Sequence, residues 1–387
     1  GEPVETVKPL VVPLSDADSC TEELVGGNAA KLARLARAGF DVPHGLCLNV
    51  DAYDLFVRSG GIETAIRMEL GRKSLDRMRW EEIWDAALRI RSVFLSHSLP
   101  GAVREALHEA LASLGEPWPL AVRSSALGED SGERSFAGLH ESVTDVTTGP
   151  EVEKAVRLVW ASLWSDAALL YRHELRLDPA ASCMAVLVQR MVHTDRSGVA
   201  FGLDPRGGKK DLAIVEAVTG PCSLLVDGES DPDRWEICRR SGDVMNWRPG
   251  ERRSEPLLER EDLDALLSAI QRIEELLKFP PDMEWTGRSD SLTILQARPV
   301  TPARPDDDSE RLRSLSLRPG DARLRKLSEQ VTERLIPELE AQGREMSEER
   351  LDHYDDPRLA DAIEQRAGAL KHWKKIYWDV FIPFAHG

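Results

Sequence analysis

The sequence predicts a protein of the α+β class, in which short antiparallel strands are combined with long amphipathic helices. Between residues 184 and 238, four apolar runs are separated by turn sequences rich in Asp, Arg and Gly, a pattern typical of an antiparallel sheet. Residues 151–176 and 262–277 instead place apolar side chains at helical spacing. A polar turn at residues 287–290 divides two further strands, as in a β-hairpin.

Composition limits the classes of partner and the compartment. The chain has 387 residues, enough for two or three packed units, and a net charge of −17 that disfavours nucleic acid or an anionic membrane as a partner. No apolar run approaches the length of a membrane span. The five cysteines form no CxxC pair, so a reducing, cytoplasmic compartment is expected. An acidic protein that binds a nucleotide must concentrate its cations locally, usually with a divalent metal ion.

The first helix is predicted from Asn28 to Ala38, and Gly39 is expected to end it. It follows Gly26 and Gly27, and two glycines before a helix N-terminus leave free amides that can bind an anion. A tight turn before a packing helix is the alternative interpretation of the same glycines.

A short apolar run, Pro119–Val122, predicts a buried strand that delivers Arg123, Ser124 and Ser125 to a polar loop. Arginine offers a rigid fork of donors that suits phosphate oxygens, and serine hydroxyls supplement it. The alternative is a strand end at which Arg123 pairs with a nearby carboxylate.

Helices and a second group of strands fill the chain on either side of this segment. Residues 51–114 are predicted to be a helical scaffold, and Glu151–Arg176 a single long helix. The run Met184–Met191 predicts a central strand. Three later strands are expected to join it in one antiparallel sheet, at residues 199–201, 212–217 and 234–238.

The predicted hairpin brings four polar side chains together. By the period of two, Asp282 and Glu284 share one face of its first strand, and Gln296 and Arg298 share one face of its second. Carboxylate and amide oxygens at this density suit Mg²⁺, and an arginine suits a phosphate beside it. A surface hairpin with a cross-strand Glu–Arg pair is the alternative.

Beyond residue 301 the sequence predicts a Pro/Asp linker and two charged helices, at residues 321–344 and 357–380. Asp356 is expected to be the N-cap of the second helix. Apolar residues continue to the last position, so the chain is expected to be part of a longer protein.

Together these segments resemble the N-terminal nucleotide-binding domain of phosphoenolpyruvate synthase and pyruvate phosphate dikinase, an ATP-grasp fold. The resemblance covers residues 20–301 and is carried by short segments in a fixed order. They are residues 26–27, 42–45, 121–126 with 129–130, 135–138, 188–191, 197–201, 232–233, 282–284 and 295–299.

The resemblance implies ATP and Mg²⁺ bound between two α+β lobes, at residues 1–183 and 184–301, with residues 302–387 as a linker and helical extension. The residues implied in phosphoryl transfer are Arg123, Lys31 and Arg298. Those implied in binding the nucleotide are Gly26, Gly27, Asn28, Ser124, Ser135, Gly138, Gln189, Arg190, Met191 and Asp282. Those implied in holding Mg²⁺ are Glu284 and Gln296. Within this set, residues 189–191 would meet the adenine through backbone groups, and the 135–138 loop would cover the phosphates.

Two positions depart from the family pattern. Family members usually have lysine directly after the two glycines, where this chain has Asn28, and its lysine is Lys31 instead. The two positions share a helical face about 4.5 Å apart along the axis. Helical side chains lean toward the N-terminus, so Lys31 is expected to reach back to the phosphates, and loss of the lysine's role is the alternative. Ser223 stands where the family has a carboxylate, for which Glu216 is a candidate replacement.

In the family, a phosphoryl group passes from ATP to a histidine on a swivelling domain and then to pyruvate on a third domain. None of the nine histidines of this chain has the sequence context of that carrier. The resemblance therefore implies an ATP-dependent phosphotransferase fragment whose partners are those two domains. Its final acceptor stays open, because the same domain serves enzymes that phosphorylate rifamycin antibiotics or glucans. A degenerate nucleotide-binding module or scaffold is the alternative class.

Overall fold

A computed structural model of the chain describes residues 9–115, 119–127, 142–174, 176–178, 182–192, 194–205, 211–226, 230–250, 255–300 and 327–381. The chain divides into two compact units. The first holds residues 1–222 and 232–303, and the second holds residues 223–231 and 304–387. Of the helices described, none has the length and apolar character that a membrane crossing requires.

The first unit contains a five-stranded antiparallel sheet in the order β1-β2-β5-β3-β4. Its strands are β1 (Val11–Pro13), β2 (Gly45–Leu48), β3 (Leu120–Ala126), β4 (Ser142–Val146) and β5 (Met184–Arg190). β5 lies between β2 and β3, so the prediction that it joins the later strands in one sheet is wrong. Its continuous apolar sequence is buried from Met184 to Gln189, as expected for a strand that is covered on both faces.

A second antiparallel sheet has six strands in the order β11-β10-β6-β7-β8-β9. Its strands are β6 (Arg196–Phe201), β7 (Leu212–Thr219), β8 (Asp233–Cys238), β9 (Val244–Arg248), β10 (Pro281–Thr286) and β11 (Thr293–Pro299). The predicted hairpin is confirmed as β10 and β11. β10 also pairs with β6, so the alternative of a surface hairpin is wrong.

Helices surround both sheets of the first unit. They are α1 (Glu22–Arg37), α2 (Val50–Ser59), α3 (Ile62–Gly71), α4 (Trp80–Ser96), α5 (Gly101–Ser113), α6 (Gly149–Ser162), α7 (Asp166–Glu174) and α9 (Arg260–Leu277), while α8 (Ser223–Val226) belongs to the second unit. The single helix predicted over residues 151–176 is divided into α6 and α7. Ser165 causes the division, because its Oγ accepts a hydrogen bond from the Ala168 N–H at 3.1 Å and caps α7.

Two apolar cores stabilise the first unit. In one, α2 to α7 pack on one face of the five-stranded sheet around Phe56, Phe94 and Trp160. The other joins α1, the opposite face of that sheet, one face of the six-stranded sheet, and α9. α1 contacts β3, β5 and β11, and it therefore connects the two sheets.

The second unit contains the short α8 (Ser223–Val226) and the helices α10 (Ile336–Glu348) and α11 (Asp356–Ile376). π-Helical stretches adjoin the two longer helices at Gln330–Leu335 and Tyr377–Phe381. The predicted N-cap at Asp356 is wrong by one residue. Asp355 caps α11 instead, because its Oδ1 accepts from the Arg358 N–H at 3.2 Å. Residues 321–326 of the first predicted helix lie outside the described residues.

Candidate functional site

Arg123 connects the two sheets of the first unit. It lies within β3 rather than in a loop after it, because β3 continues to Ala126. Its Nη2 is 3.3 Å from Glu284 Oε2 on β10, and the two side chains are only 26% and 14% exposed. Its Nη1 donates to the Leu295 carbonyl of β11 at 3.2 Å. The pairing of Arg123 with a carboxylate, which the sequence left open, is the arrangement in the structure.

A β-bulge makes the Leu295 carbonyl available to Arg123. On β11, Gln296 lies opposite Glu284 and Ile294 lies opposite Trp285, so Leu295 has no partner on β10. A bulged residue is left out of the hydrogen-bond ladder, and its carbonyl can accept from a side chain instead. The guanidinium is thus held by one charged and one neutral oxygen from adjacent strands.

The four polar residues predicted on the hairpin do share one face. Glu284 is directly opposite Gln296, and Asp282 is directly opposite Arg298. Arg298 Nε donates to Asp282 Oδ2 at 2.8 Å, with the side chains 30% and 12% exposed. Two carboxylates, an amide and two guanidinium groups therefore converge where β3 meets β10 and β11.

The same face carries a further charged pair, of which Arg234 was not identified from the sequence. Cross-strand pairing runs from Glu284 to Val199, from Val199 to Glu216 and from Glu216 to Arg234, and paired residues point to the same side of a sheet. Arg234 Nη1 donates to Glu216 Oε1 at 2.5 Å. The alternation Arg234-Trp235-Glu236 in the sequence is the signal that indicates this half-buried face.

α1 is broken at Gly26, and the part that follows the break corresponds to the helix predicted from Asn28. α1 begins at Glu22, and Gly26 has a φ of 74°, which is in the left-handed region. A Cβ on Gly26 would lie 2.1 Å from the Ser125 carbonyl oxygen, so only glycine fits this approach to β3. Ser125 Oγ accepts from the Ala29 N–H at 3.0 Å and donates to the Val25 carbonyl at 2.6 Å. Gly26 and Gly27 are both buried.

Asn28 and Lys31 lie on the part of α1 that follows this break, and both are buried, at 9% and 6% exposure. Asn28 Nδ2 donates to the Ser124 carbonyl at 3.3 Å, and Asn28 Oδ1 accepts from Gln296 Nε2 at 3.4 Å. The side chain of Asn28 therefore joins β3 to β11, beside the bridge that Arg123 makes.

Ser124 contributes its carbonyl rather than its hydroxyl to this cluster. Along β3, Arg123 and Ser125 pair with Leu187 and Ala185, which belong to the core around α1. Ser124 pairs with Val186, which belongs to the core on the other face of the sheet. The Ser124 side chain is therefore on the opposite face from Arg123. The predicted residues Ser135 and Gly138 lie outside the described residues.

The segment predicted to meet the adenine lies at the end of β5. Gln189 is buried, and its Nε2 donates to the Pro43 carbonyl at 3.2 Å. The N–H groups of Arg190 and Met191 donate to the carbonyls of His44 and Pro119, each at 2.9 Å. Because proline has no N–H, Pro119 cannot return a hydrogen bond to the Met191 carbonyl.

The donor set fits Mg²⁺ as a partial coordination shell. In the described part of the chain, no group of three or more His, Cys, Asp or Glu side chains is placed to hold a metal ion. Glu284 and Gln296 supply two hard oxygens from directly opposite positions on neighbouring strands. Mg²⁺ in nucleotide sites usually takes one or two protein ligands and completes its shell with phosphate oxygens and water. Two protein oxygens beside two arginines match that pattern.

Known proteins resemble the chain over most of its length. The family model described as the pyruvate phosphate dikinase AMP/ATP-binding domain matches residues 22–316. Phosphoenolpyruvate synthase of Aeropyrum pernix is 36% identical over 244 residues, which cover 62% of this chain and 30% of the relative. Rifampicin phosphotransferase of a Streptomyces species is 34% identical over 323 residues, which cover 77% and 37%. Phosphoenolpyruvate synthase of Deinococcus radiodurans is 32% identical over 313 residues, which cover 72% and 40%. The chain thus spans less than half the length of each of these relatives.

Proposed function

This chain belongs to the family of the pyruvate phosphate dikinase AMP/ATP-binding domain, and we propose that it binds Mg²⁺-ATP for phosphoryl transfer in a phosphoenolpyruvate-synthase-like enzyme. The fold proposed is the ATP-grasp fold, with lobes at residues 1–183 and 184–301 and an extension at residues 302–387. This division assigns β5 by residue number to the second lobe, although β5 pairs within the five-stranded sheet of β1 to β4, and the adenine would lie at its end, near Met191.

One observation carries the proposal: Arg123 from one sheet contacts Glu284 of the other, on the face of β10 and β11 that also carries Gln296 and the Asp282–Arg298 pair. Phosphoryl transfer needs positioning and charge neutralisation more than a protein nucleophile. Cations from two sheets and hard oxygen ligands between them are the groups that a triphosphate and its metal ion require.

The roles of the residues follow from their present partners. Arg123 would exchange the Glu284 carboxylate for phosphate oxygens, because both are anions that suit its fork of donors. Glu284, once released, and Gln296 would hold Mg²⁺, which when bound neutralises phosphate charge. Asp282 keeps Arg298 oriented through the 2.8 Å contact, and Arg298 would hold a second part of the phosphates. Lys31, one turn after Asn28 on α1, would reach back toward them.

The phosphoryl group would pass to a histidine on a separate swivelling domain and then to pyruvate on an acceptor domain. A second acceptor is favoured by one comparison, since the rifampicin phosphotransferase covers 77% of this chain. In that case an antibiotic takes the place of pyruvate. A third candidate, a nucleotide-binding module that transfers nothing, is favoured by Asn28 in the position where the family usually has lysine.

Ligand-dependent thermal unfolding tests the binding step. ATP with Mg²⁺ is expected to raise the Tm of the native chain, because a ligand at 100 times its Kd adds about 2.7 kcal/mol to the free energy of unfolding. Arg123→Ala is expected to lose most of this shift. Arg58→Ala is a matched control on the exposed side of α2, with its side chain 73% exposed, and should keep it. Absence of a shift in the native chain would exclude ATP binding.

Product analysis then separates the three candidates. The protein that carries the partner domains is incubated with ATP and either pyruvate or a rifamycin, and AMP and phosphorylated acceptor are measured. AMP formation with pyruvate supports the synthase, and formation with the antibiotic supports the second acceptor. ATP binding without AMP under both conditions would identify the module.

A further inference from the structure

Asn28 occupies a position from which it can control the orientation of a neighbouring amide. It is 9% exposed and lies between two groups, the Ser124 carbonyl of β3 and the Gln296 side chain of β11. The Gln296 side chain makes no other hydrogen bond within the described part of the chain. The orientation of the Gln296 amide therefore depends on Asn28.

The direction of each hydrogen bond follows from the donor and acceptor inventory. A backbone carbonyl can only accept, so the group of Asn28 that faces Ser124 must be the Nδ2 amine. Its Oδ1 is then the atom that faces Gln296, and an oxygen acceptor requires the Gln296 Nε2 amine opposite it. The assignment of oxygen and nitrogen in both amides therefore follows from the Ser124 carbonyl oxygen, whose identity is certain because it belongs to the backbone.

The constraint selects the atom of Gln296 that is left for a cation. With Nε2 turned to Asn28, the Gln296 oxygen Oε1 is free of hydrogen bonds within the described residues. A flipped amide would place Oε1 against Asn28 Oδ1, with the loss of one hydrogen bond and a repulsion between two oxygens. It would also present an amine, which cannot ligate a metal ion, in place of the oxygen.

We propose that Asn28 is a positioning residue for divalent-metal binding, which acts by holding the Gln296 amide with its oxygen available to the metal ion beside Glu284. The inference rests on the proposed function, because it assigns the orientation of one of its two metal ligands. It also gives Asn28 a task different from the direct phosphate contact of a lysine at the same position.

A double-mutant cycle with Gln296→Glu tests this role. The quantity measured is the Kd of a non-hydrolysable ATP analogue in EDTA divided by its Kd in Mn²⁺, which reports the contribution of the metal ion without any turnover. Asn28→Ala is expected to lower this ratio at least about twofold, because the Gln296 amide is then free to flip and presents its oxygen in only one of the two orientations. A glutamate at position 296 presents an oxygen in either orientation. In that background, Asn28→Ala is expected to leave the ratio unchanged or to raise it, since it also removes the repulsion by Asn28 Oδ1.

The outcomes of the cycle are distinct. If Asn28→Ala lowers the ratio equally with Gln296 and with Glu at position 296, the proposal is wrong and Asn28 acts in the packing of α1. An unchanged ratio for Asn28→Ala in the native background would also overturn the proposal. Circular dichroism of each variant establishes that it is folded. If the native chain binds the analogue with the same Kd in EDTA and in Mn²⁺, the proposed metal site is wrong, and so is this inference. Failure to bind the analogue at all would overturn the proposed function itself.

Discussion

Strand β5 of the five-stranded sheet and strands β8 and β10 of the six-stranded sheet are buried differently, and the difference bears on which residues they contribute to the candidate site. In β5 of the five-stranded sheet every residue from Met184 to Gln189 is buried, because helices pack on both faces. In β8 and β10 of the six-stranded sheet, buried and half-buried residues alternate. β8 and β10 place polar groups on the face away from α9. The five-stranded sheet contributes mainly Arg123 of β3, which is partly exposed and extends toward β10 and β11.

Truncation of a core residue in the five-stranded sheet should have the largest effect, a loss in the free energy of unfolding. Leu187 on β5 is 1% exposed. Leu187→Ala is expected to lower the free energy of unfolding by about 2–5 kcal/mol, the usual cost of lost apolar burial and a residual cavity. Chemical denaturation followed by circular dichroism measures it.

Glu236→Ala is the matched change on the half-buried face of β8. It is expected to alter the free energy of unfolding by less than about 0.5 kcal/mol, because Glu236 is only half-buried and belongs to neither apolar core. A loss comparable to that of Leu187→Ala would contradict the difference between the two sheets.

The alkylation rates of two cysteines, one beside β5 and one at the end of β8, give a second comparison of the two sheets. Burial and the charge of Asp54 raise the pKa of Cys183, just before β5, to about 11. Hydrogen bonds from Ser241 lower the pKa of the Cys238 thiol at the end of β8 below its usual value. Cys238 should therefore be alkylated at least about tenfold faster at pH 8, since the thiolate is the reactive form. The rate at Cys183 should continue to rise with pH up to about 11.

Peptide mass spectrometry after timed exposure to iodoacetamide measures both rates in one sample. Both cysteines are partly exposed, so both can react with the reagent. Equal rates at pH 8 would contradict the contrast in environment.

Removal of the Arg123–Glu284 contact between the two sheets should have the smallest effect, a small change in the Kd for ATP. Glu284→Gln removes the charge that holds Arg123, so the Kd for metal-free ATP is expected to fall about two- to fivefold, as for a partly exposed ion pair. The factor by which Mg²⁺ lowers the Kd for ATP should decrease at the same time, because a metal ligand has lost its charge. Titration calorimetry in EDTA and in Mg²⁺ measures both. Glu236→Gln, on the same face without an ion pair, serves as the control, and identical behaviour of the two variants would argue against the exchange of partners by Arg123.

The hairpin and its shared polar face could be predicted from the sequence, because the period of two assigns Asp282, Glu284, Gln296 and Arg298 to their faces without knowledge of the rest of the fold. The partners of β5 could not, because a continuous apolar run indicates burial but contains no information about which strands lie beside it. The helix start after Gly26 and Gly27 was predicted, but the contact that requires glycine at position 26 was not. That contact is the approach of Ser125, about a hundred residues away along the chain.

Because of the bulge in β11, one residue of this strand can be deleted without moving any other side chain to the opposite face. Ile294 is buried against the apolar core, Gln296 lies on the polar face, and Leu295 is the extra residue between them. Deletion of Leu295 would leave a regular alternation in which each remaining side chain keeps its face. Deletion of Ala297 would send either Gln296 or Arg298 to the apolar side. A lineage can therefore lose or regain the carbonyl that restrains Arg123 in a single insertion or deletion, with the rest of the sheet inherited intact.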